Sequence, residues 1–360
     1  MIFGPFDLSK LTPKGDALPI LAHSVRAGDL RMAKGTRLDG EAIGRLREAG
    51  LTRVEAAVPE PGDIDEDEAA RLCAEPLVPK GALLEGDRAT TGRGNLRAGA
   101  DGLLQVDASL VDALNAIDDR LTVATLPDGA RVRAGELVAT VKIIPFHVPR
   151  ASVERWREAA PGGPGDATPD VELCRRGLVL GVRPWLAMGV AHVSTLLPGT
   201  KSSVLDKTRR ALEGRLEGTG ATLGGERRVP HGREALADAL REATKAEAGG
   251  AAGLVVVFGA SAVTDARDVV PEAIRMAGGR VERVGMPVDP GNLLVLGRLE
   301  GSVVIGAPGC ARSPVHNGFD LVLDRALAGV EVTSAAIAGW GVGGLLKEIA
   351  SRPRPREAGA

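Results

Sequence analysis

Aromatic residues make up only 2% of this 360-residue chain, and tyrosine is absent. That scarcity leaves no stacking platform for single-stranded bases, and the core is expected to be built from Leu, Val, Ile and Ala. Cysteine is scarce as well. Cys73, Cys174 and Cys310 stand far apart with no CxxC pair, a spacing that supports neither a structural zinc site nor a disulfide framework. The five histidines, His23, His147, His192, His231 and His316, are scattered and form no HExxH motif. An excess of charge of either sign is also missing: 45 Lys and Arg face 47 Asp and Glu, for a net charge of −2. This balance excludes a broadly basic nucleic-acid-binding protein. Long hydrophobic runs are lacking, since Arg183 interrupts GLVLGVRPWLAMGVA, and no transmembrane helix or membrane association is expected. The segment MIFGPFDLSK has no basic region followed by an apolar run, so no signal peptide is expected and the expected compartment is the cytoplasm.

What the chain has in quantity is punctuation, with 48 Gly and 23 Pro. Hydrophobic residues at 44% and charged residues at 26% are ordinary for a globular protein. The stretch AAPGGPGDATPD (159–170) reads as a linker, and SRPRPREAGA (351–360) as a flexible tail, because neither can bury enough apolar surface to order itself. Ahead of the linker two modules are expected, a small α+β module over 1–79 and a β-rich module over 80–150. In the first, Asp39 is placed to cap a helix with Ala42, Ile43, Leu46 and Ala49 on one face, ended by Gly50. A strand over 51–58 follows, and the acidic run 63–68 reads as a solvated helix start. In the second, strands are predicted over 102–106, 121–125 and 136–144, with a helix over 109–117; Arg93, Gly94 and Asn95 read as a glycine turn or a binding loop.

Beyond the linker, strands and helices alternate over 171–350, the pattern of an α/β domain with a mostly parallel sheet and helices in three layers. AGLVVVFG (252–259) is a continuous apolar run, as in a buried parallel strand. Helices are predicted over 202–221, with Ser202 or Ser203 as cap, over 232–245, over 268–277 and over 319–328. Ligands of such sheets sit where strands run into helices, and three loops have suitable composition. LPGTKSS (197–203) sets Thr200, Lys201 and Ser202 at a helix start, a place for an anion, although it lacks P-loop spacing. FGASAVTDARDVVP (258–271) offers small residues at Gly259, Ala260 and Ser261 and carboxylates at Asp265 and Asp268, which beside a phosphate suit a hard cation such as Mg²⁺. GAPGCARSP (306–314) offers a turn at Pro308 and Gly309, the thiol of Cys310, the cation of Arg312, and Ser313.

In this order the motifs resemble the molybdopterin-binding domain of molybdenum-cofactor biosynthesis, shared by molybdopterin adenylyltransferase and molybdopterin molybdenumtransferase. The resemblance covers about 177–349. LDKTRRALEGRLEGTGA (205–221) stands where the family has Asp-Ser-Asn and a helix ending in Gly-Ala; Asp206 keeps the acid, and Lys207 and Thr208 replace Ser and Asn. FGASAVTDARDVVPEAI is similar to the family's Gly-Gly loop followed by a helix-starting Asp, here Asp268, with Ala260 in place of the second Gly. VGMPVDPGNLLVLGRL (284–299) resembles the Pro-Gly-Lys-Pro stretch, bringing in Asp289 and Gly291, with Asn292 for the Lys. IGAPGCARSP resembles the Pro-Gly-Asn-Pro loop, with Cys310 for the Asn.

The resemblance implies a protein of molybdenum cofactor biosynthesis or handling that binds molybdopterin or adenylyl-molybdopterin with Mg²⁺. The two family chemistries are adenylyl transfer from ATP and insertion of molybdate. In either, Asp268 is implied as the metal-holding and catalytic acid, with Asp265 assisting. Two alternatives stand beside it. One is a non-catalytic carrier passing the cofactor to a nucleotidyltransferase or a molybdoenzyme; the other is a nucleotide-processing enzyme of the competence-damage-inducible type. A dimer or trimer is implied by the same resemblance.

Overall fold

The structure, a computed structural model, describes residues 1–13, 18–160, 178–246 and 253–346. The expected linker beyond Ala160 and the expected tail lie outside the described residues. The chain divides into two compact units, Met1–Ala100 with Leu104–Val182, and Asp101–Leu103 with Arg183–Ala360. The residues of the modules expected over 1–79 and 80–150 fall in the first unit, apart from Asp101–Leu103.

In that unit β1 (Ile2–Asp7), β2 (Ile20–Leu21), the hairpin β3 (Val25–Ala27) and β4 (Leu30–Met32), α1 (Gly40–Glu48) and β5 (Arg53–Val58) surround a core that includes Leu8, Leu38 and Leu46. β5 is the middle strand, flanked by β1 and β2 on its two antiparallel edges. α1 forms for the reasons its sequence gives. The Asp39 side chain accepts from the Ala42 amide at 2.8 Å, Ala42, Ile43 and Leu46 are buried, and Gly50 leaves the helix at φ +81°.

The rest of the unit comprises β6 (Asp63–Asp65), α2 (Glu66–Ala74), β7 (Leu84–Gly86), β8 (Arg93–Ala98), β9 (Gly102–Val106), α3 (Ala108–Asn115), β10 (Leu121–Thr125), β11 (Arg131–Val132), β12 (Leu137–Ile143), β13 (His147–Pro149) and α4 (Arg150–Ala159). An antiparallel sheet of order β10-β12-β8-β7 carries α2 on one face. Two expectations need correction here. The acidic run is not all helix start: Asp63–Asp65 pair with β13, Asp63 meets the Met1 amino group at 2.6 Å, and Asp65 caps α2. Arg93, Gly94 and Asn95 are neither turn nor loop but the start of β8. Gly94 is closely packed: a Cβ there would lie 3.0 Å from the Ala74 Cβ and 3.2 Å from the Ala70 carbonyl, so α2 would have to give by a few tenths of an ångström.

β14 (Leu180–Pro184) leads into the second unit, which holds β15 (Gly189–Leu196), α5 (Ser202–Leu216), β16 (Thr222–Pro230), α6 (Arg233–Ala246), β17 (Leu254–Phe258), α7 (Val269–Met276), β18 (Arg280–Val284), β19 (Val295–Leu299), β20 (Ser302–Ala307), α8 (Gly318–Leu327) and α9 (Ser334–Ala338). Its six-stranded sheet has the order β16-β15-β17-β20-β19-β18. The pairs β16–β15, β15–β17 and β17–β20 are parallel, and β20–β19 and β19–β18 are antiparallel. The fold is therefore mixed α/β, with a large, mostly parallel sheet beside several small antiparallel ones.

Every residue of β17 is buried, as a Val-rich run between two apolar faces requires. Leu254, Val256 and Phe258 join one core with Leu212 of α5 and Phe319 and Leu323 of α8. Val255 and Val257 join another with Leu236 and Leu240 of α6 and Ile274 of α7. The predicted helices recur within a few residues of their expected limits, with one local correction. Ser202 and Ser203 do not cap α5; Lys201 occupies the cap position without a side-chain bond, and Ser202 is the first helical residue.

Candidate functional site

Parallel strands put their connections on one edge. β15, β17 and β20 end at Leu196, Phe258 and Ala307, so the loops that follow emerge together. β19 runs the other way, and Val295 at its start pairs with Gly306 near the end of β20. The loop 285–294 consequently reaches the same edge. All four sequence-predicted segments are thereby collected at the carboxyl ends of the parallel strands, as open α/β sheets arrange their ligand loops.

Arg312 ties three of the motifs together. Its Nη1 donates to Thr208 Oγ1 on α5 at 2.8 Å, and its Nη2 donates to the Gly259 carbonyl at 2.9 Å. The guanidinium lies over the Phe258 ring, 5.4 Å from its centroid, a cation–π arrangement strengthened by partial desolvation. Burial lowers its pKa, opposed by Glu226, but at neutral pH the group stays charged. Thr208 in turn donates to the Val204 carbonyl at 2.8 Å, so its hydroxyl serves as donor and acceptor at once. Arg312 was expected to clamp a ligand anion; the structure commits its two terminal nitrogens to protein acceptors.

A second arginine fixes the loop after β20. Arg215 of α5 donates to Asp320 Oδ1 at 2.7 Å and to the carbonyls of Ala311 at 3.0 Å and Ser313 at 2.7 Å. Both ionic side chains are buried, at 6% and 7% exposure. Asp320 also accepts from the Asn317 amide at 2.8 Å and closes the capping box of α8. Pro308 precedes a short 3₁₀ turn over Gly309–Arg312. Cys310 points its Sγ at Asn317 Oδ1, 3.6 Å away, and a Cβ added at Gly309 would meet nothing within 4 Å. The backbone there faces open space.

Asp268 caps α7. Its Oδ1 accepts from the Val269 amide at 2.7 Å and its Oδ2 from the Thr264 amide at 3.0 Å. Burial would raise its pKa, but these two amides and the nearby His231 outweigh burial and hold the carboxyl below its usual range. Asp265 is differently placed: it is exposed, and Arg267 holds it through both its amide at 2.8 Å and its guanidinium Nε at 2.9 Å. Those bonds lower its pKa.

His231, absent from the sequence-based site, belongs to it. It follows β16 directly, and its Nδ1 lies 2.8 Å from Thr195 Oγ1 at the end of β15. The same oxygen accepts from the Ala260 amide at 2.8 Å. Thr195 thus joins His231 to the loop that carries Asp268. The available signal was the position of His231 after a predicted strand, which composition alone does not single out.

Beneath α5 the β15–β16 pair carries a buried ionisable cluster. His192 is fully buried, with Ser194 Oγ 3.2 Å and Glu226 Oε1 3.9 Å from its Nε2. Burial pushes the imidazole down to about 4, against the opposing pull of Glu226. Burial alone would raise Glu226, but hydrogen bonds from Arg228 and Ser194 hold it below its usual range. Arg228 also reaches Asp206 at 3.3 Å, so Asp206 sits on the exposed side of α5 within this chain of charges. The hydroxyl and the carboxylate both face Nε2, leaving Nδ1 without a partner; this is not the order of a nucleophilic triad, whose acid orients the far nitrogen.

The remaining expected residues have local roles. Thr200 closes a turn onto Leu197 at 2.7 Å. The side chain of Ser261 reaches only the Ala262 carbonyl, at 3.5 Å. Gly291 has φ +142°, and a Cβ on it would lie 2.7 Å from the Gly318 Cα. It is the point where the 285–294 loop presses on the start of α8. The Asp289 amide donates to Gly344 at 3.1 Å, and Asn292 accepts from the Met286 amide at 2.9 Å while remaining exposed.

The ligands the sequence implies are Mg²⁺ and an anionic pterin. Among the described residues no group of three or more His, Cys, Asp or Glu is placed to hold a metal. Asp268, ionised and at the mouth of the loop, fits the one-carboxylate share that the protein contributes when substrate phosphates supply the other Mg²⁺ ligands. The open backbone at Gly309 and the uncapped start of α5 at Lys201 fit an anionic group.

Residues 186–328 match the family described as a probable molybdopterin binding domain. Among solved structures, similarity is found to a molybdopterin biosynthesis MoeA protein from Pyrococcus horikosii at 12% identity, covering 94% of this chain and 76% of that one with a TM-score of 0.29. A molybdenum cofactor biosynthesis protein from Pyrococcus furiosus matches at 12% identity, over 94% of this chain and 65% of that one, with a TM-score of 0.23. No curated protein matches the chain. Among the described residues no helix is long and apolar enough to cross a membrane.

Proposed function

We propose that the second unit is a three-layer molybdopterin-binding domain acting in molybdenum cofactor biosynthesis, and that molybdopterin or its adenylylated form binds at the carboxyl edge of its sheet. The observation that carries this reading is the convergence of the four motif-bearing loops on one edge, two of them, 259–268 and 308–317, tied to each other and to α5 by Arg312, within the span matched by the family. The loops 197–203, 259–268, 285–294 and 308–317 would enclose the ligand, with backbone amides and Lys201 facing its phosphate.

In adenylyl transfer the pterin phosphate would be the nucleophile and the α-phosphorus of Mg²⁺-bound ATP the electrophile, with pyrophosphate leaving; in molybdate insertion the phosphoanhydride of the adenylylated form would be cleaved, releasing AMP. Asp268 would hold the divalent ion together with that phosphate. Asp265, occupied by Arg267, would take the smaller part. His231 would orient the Asp268 loop through Thr195 rather than touch the reacting atoms. Between the two chemistries, insertion of molybdate with release of AMP is the one we put to test, with a carrier role as its contrary. Assembly of the chain as a dimer or trimer belongs to the same proposal. Titration with molybdopterin and with its adenylylated form, each with and without Mg²⁺ and molybdate while AMP is followed, decides between them.

A further inference from the structure

A cavity of 190 Å³ opens at the other edge of the same sheet, at the amino ends of β15, β17 and β20 and against the end of α8. It lies a strand length from the loops described above, about 16 Å for a five-residue strand. Much of its wall is core: Met188, Leu254, Leu296 and Val332 are all more than nine-tenths buried, and Val303, Ala326 and the more exposed Leu186 also line it. The last carbonyls of α8 are already used. Those of Asp324, Arg325, Ala326 and Leu327 accept from the amides of Ala328, Val330, Gly329 and Leu186 at 2.8–3.1 Å. Hydrogen-bonding side chains enter the lining only at Arg298 and Glu331. Arg298 donates through Nε to Glu282 at 3.1 Å, while its Nη2 stands 3.7 Å from Glu331, beyond hydrogen-bond length.

Size and polarity together define a ligand class. An aliphatic cavity of about 150 Å³ stays dry and accepts a benzene ring, so this one has room for a ring and one substituent. With Glu331 in the lining and Glu282 already bonded to Arg298, the site does not favour a carboxylate. A guanidinium edge does favour a neutral oxygen acceptor. We propose that this cavity is a binding site for a small, uncharged, single-ring aromatic of the phenol type, its ring among Met188, Leu254 and Leu296 and its oxygen toward Arg298. The site is independent of the pterin reading and stands or falls apart from it.

The test is methyl NMR of the full chain titrated with phenol. Saturable shifts centred on the methyls of Met188, Leu254, Leu296 and Val303 are expected. Ala326→Leu, which fills the space, is expected to weaken phenol binding at least tenfold while the melting temperature holds or rises; Val303→Phe is the second filling variant. Absence of saturable shifts in the parent chain overturns the proposal without need of any variant. So do shifts centred elsewhere, or equal affinity in a folded filling variant.

Discussion

Arg312 donates to Thr208 at 2.8 Å across two elements that lie 104 residues apart in the chain. This bond, with its companion to the Gly259 carbonyl, makes the candidate site one piece rather than three neighbouring loops. Replacing Arg312 by Met would leave the Gly259 carbonyl and the Thr208 hydroxyl without this donor. A loss of about 1–3 kcal/mol is expected, read as a lower urea midpoint by tryptophan fluorescence. Arg312→Lys should recover only part of it, because one ammonium cannot span both acceptors in the planar geometry of a guanidinium. Equal stability of Arg312→Met and the parent would remove the strut.

Asp320→Asn tests the buried ion pair. The amide can still accept from the Asn317 backbone, but Arg215, at 6% exposure, loses its counter-charge. Breaking such a pair from one side costs about 3–5 kcal/mol, and chemical unfolding should show a loss of that order. A change under 1 kcal/mol would mean that the carbonyls of Ala311 and Ser313 suffice to hold the arginine.

Stability should fall on mild acidification. His192 has a folded pKa of about 4 because it is buried, against an unfolded value of about 6.5. Between those values the unfolded chain binds more protons, so the contribution of His192 is intact above the unfolded pKa. It is lost as pH falls toward 4, with a slope of up to about 1.4 kcal/mol per unit. His147, lowered by burial in the first unit, acts in the same direction. The check is therefore a difference: between pH 7.5 and 5, His192→Asn should show a shallower loss of stability than the parent, and parallel curves would contradict it.

Much of this was legible in the sequence, and the reason differs by feature. α1 is set by Asp39, its apolar stripe and Gly50, and β17 by an unbroken Val-rich run; both are local signals. The position of Arg93–Asn95 in a strand depends on α2 lying against Gly94, a tertiary contact that no local pattern carries. Composition drew attention to the loops because small residues, Asp and Gly gather there. The partners of Arg312 and the link from Thr195 to His231 depend on strand order. A sequence read along its length does not supply that order.

Gly309 and Gly291 should respond in opposite ways. A Cβ at Gly309 meets nothing within 4 Å, whereas one at Gly291 would lie 2.7 Å from the Gly318 Cα in a backbone with φ +142°. Gly309→Ala is expected to keep the parent melting temperature and weaken the ligand that uses that space. Gly291→Ala is expected to lower the melting temperature by several degrees. A reversed pattern would show that the 308–317 loop is packed and the 285–294 loop open.

Asp268→Asn separates fold from site. Asn can still cap α7 but keeps one of the two amide bonds that Asp268 accepts, so α7 should form with a loss of only about 1 kcal/mol, while affinity for the Mg²⁺-bound ligand should drop at least tenfold. Parent-like binding would mean that Asp268 only caps its helix.

The most direct measurement is titration of the purified chain with adenylylated molybdopterin in the presence of Mg²⁺ and molybdate, following both binding and AMP. The account predicts saturable binding that Asp268→Asn weakens, with AMP released as molybdate is inserted. Binding without release would make the domain a carrier. No binding of either pterin form would contradict the assignment of the carboxyl-edge loops as a molybdopterin site.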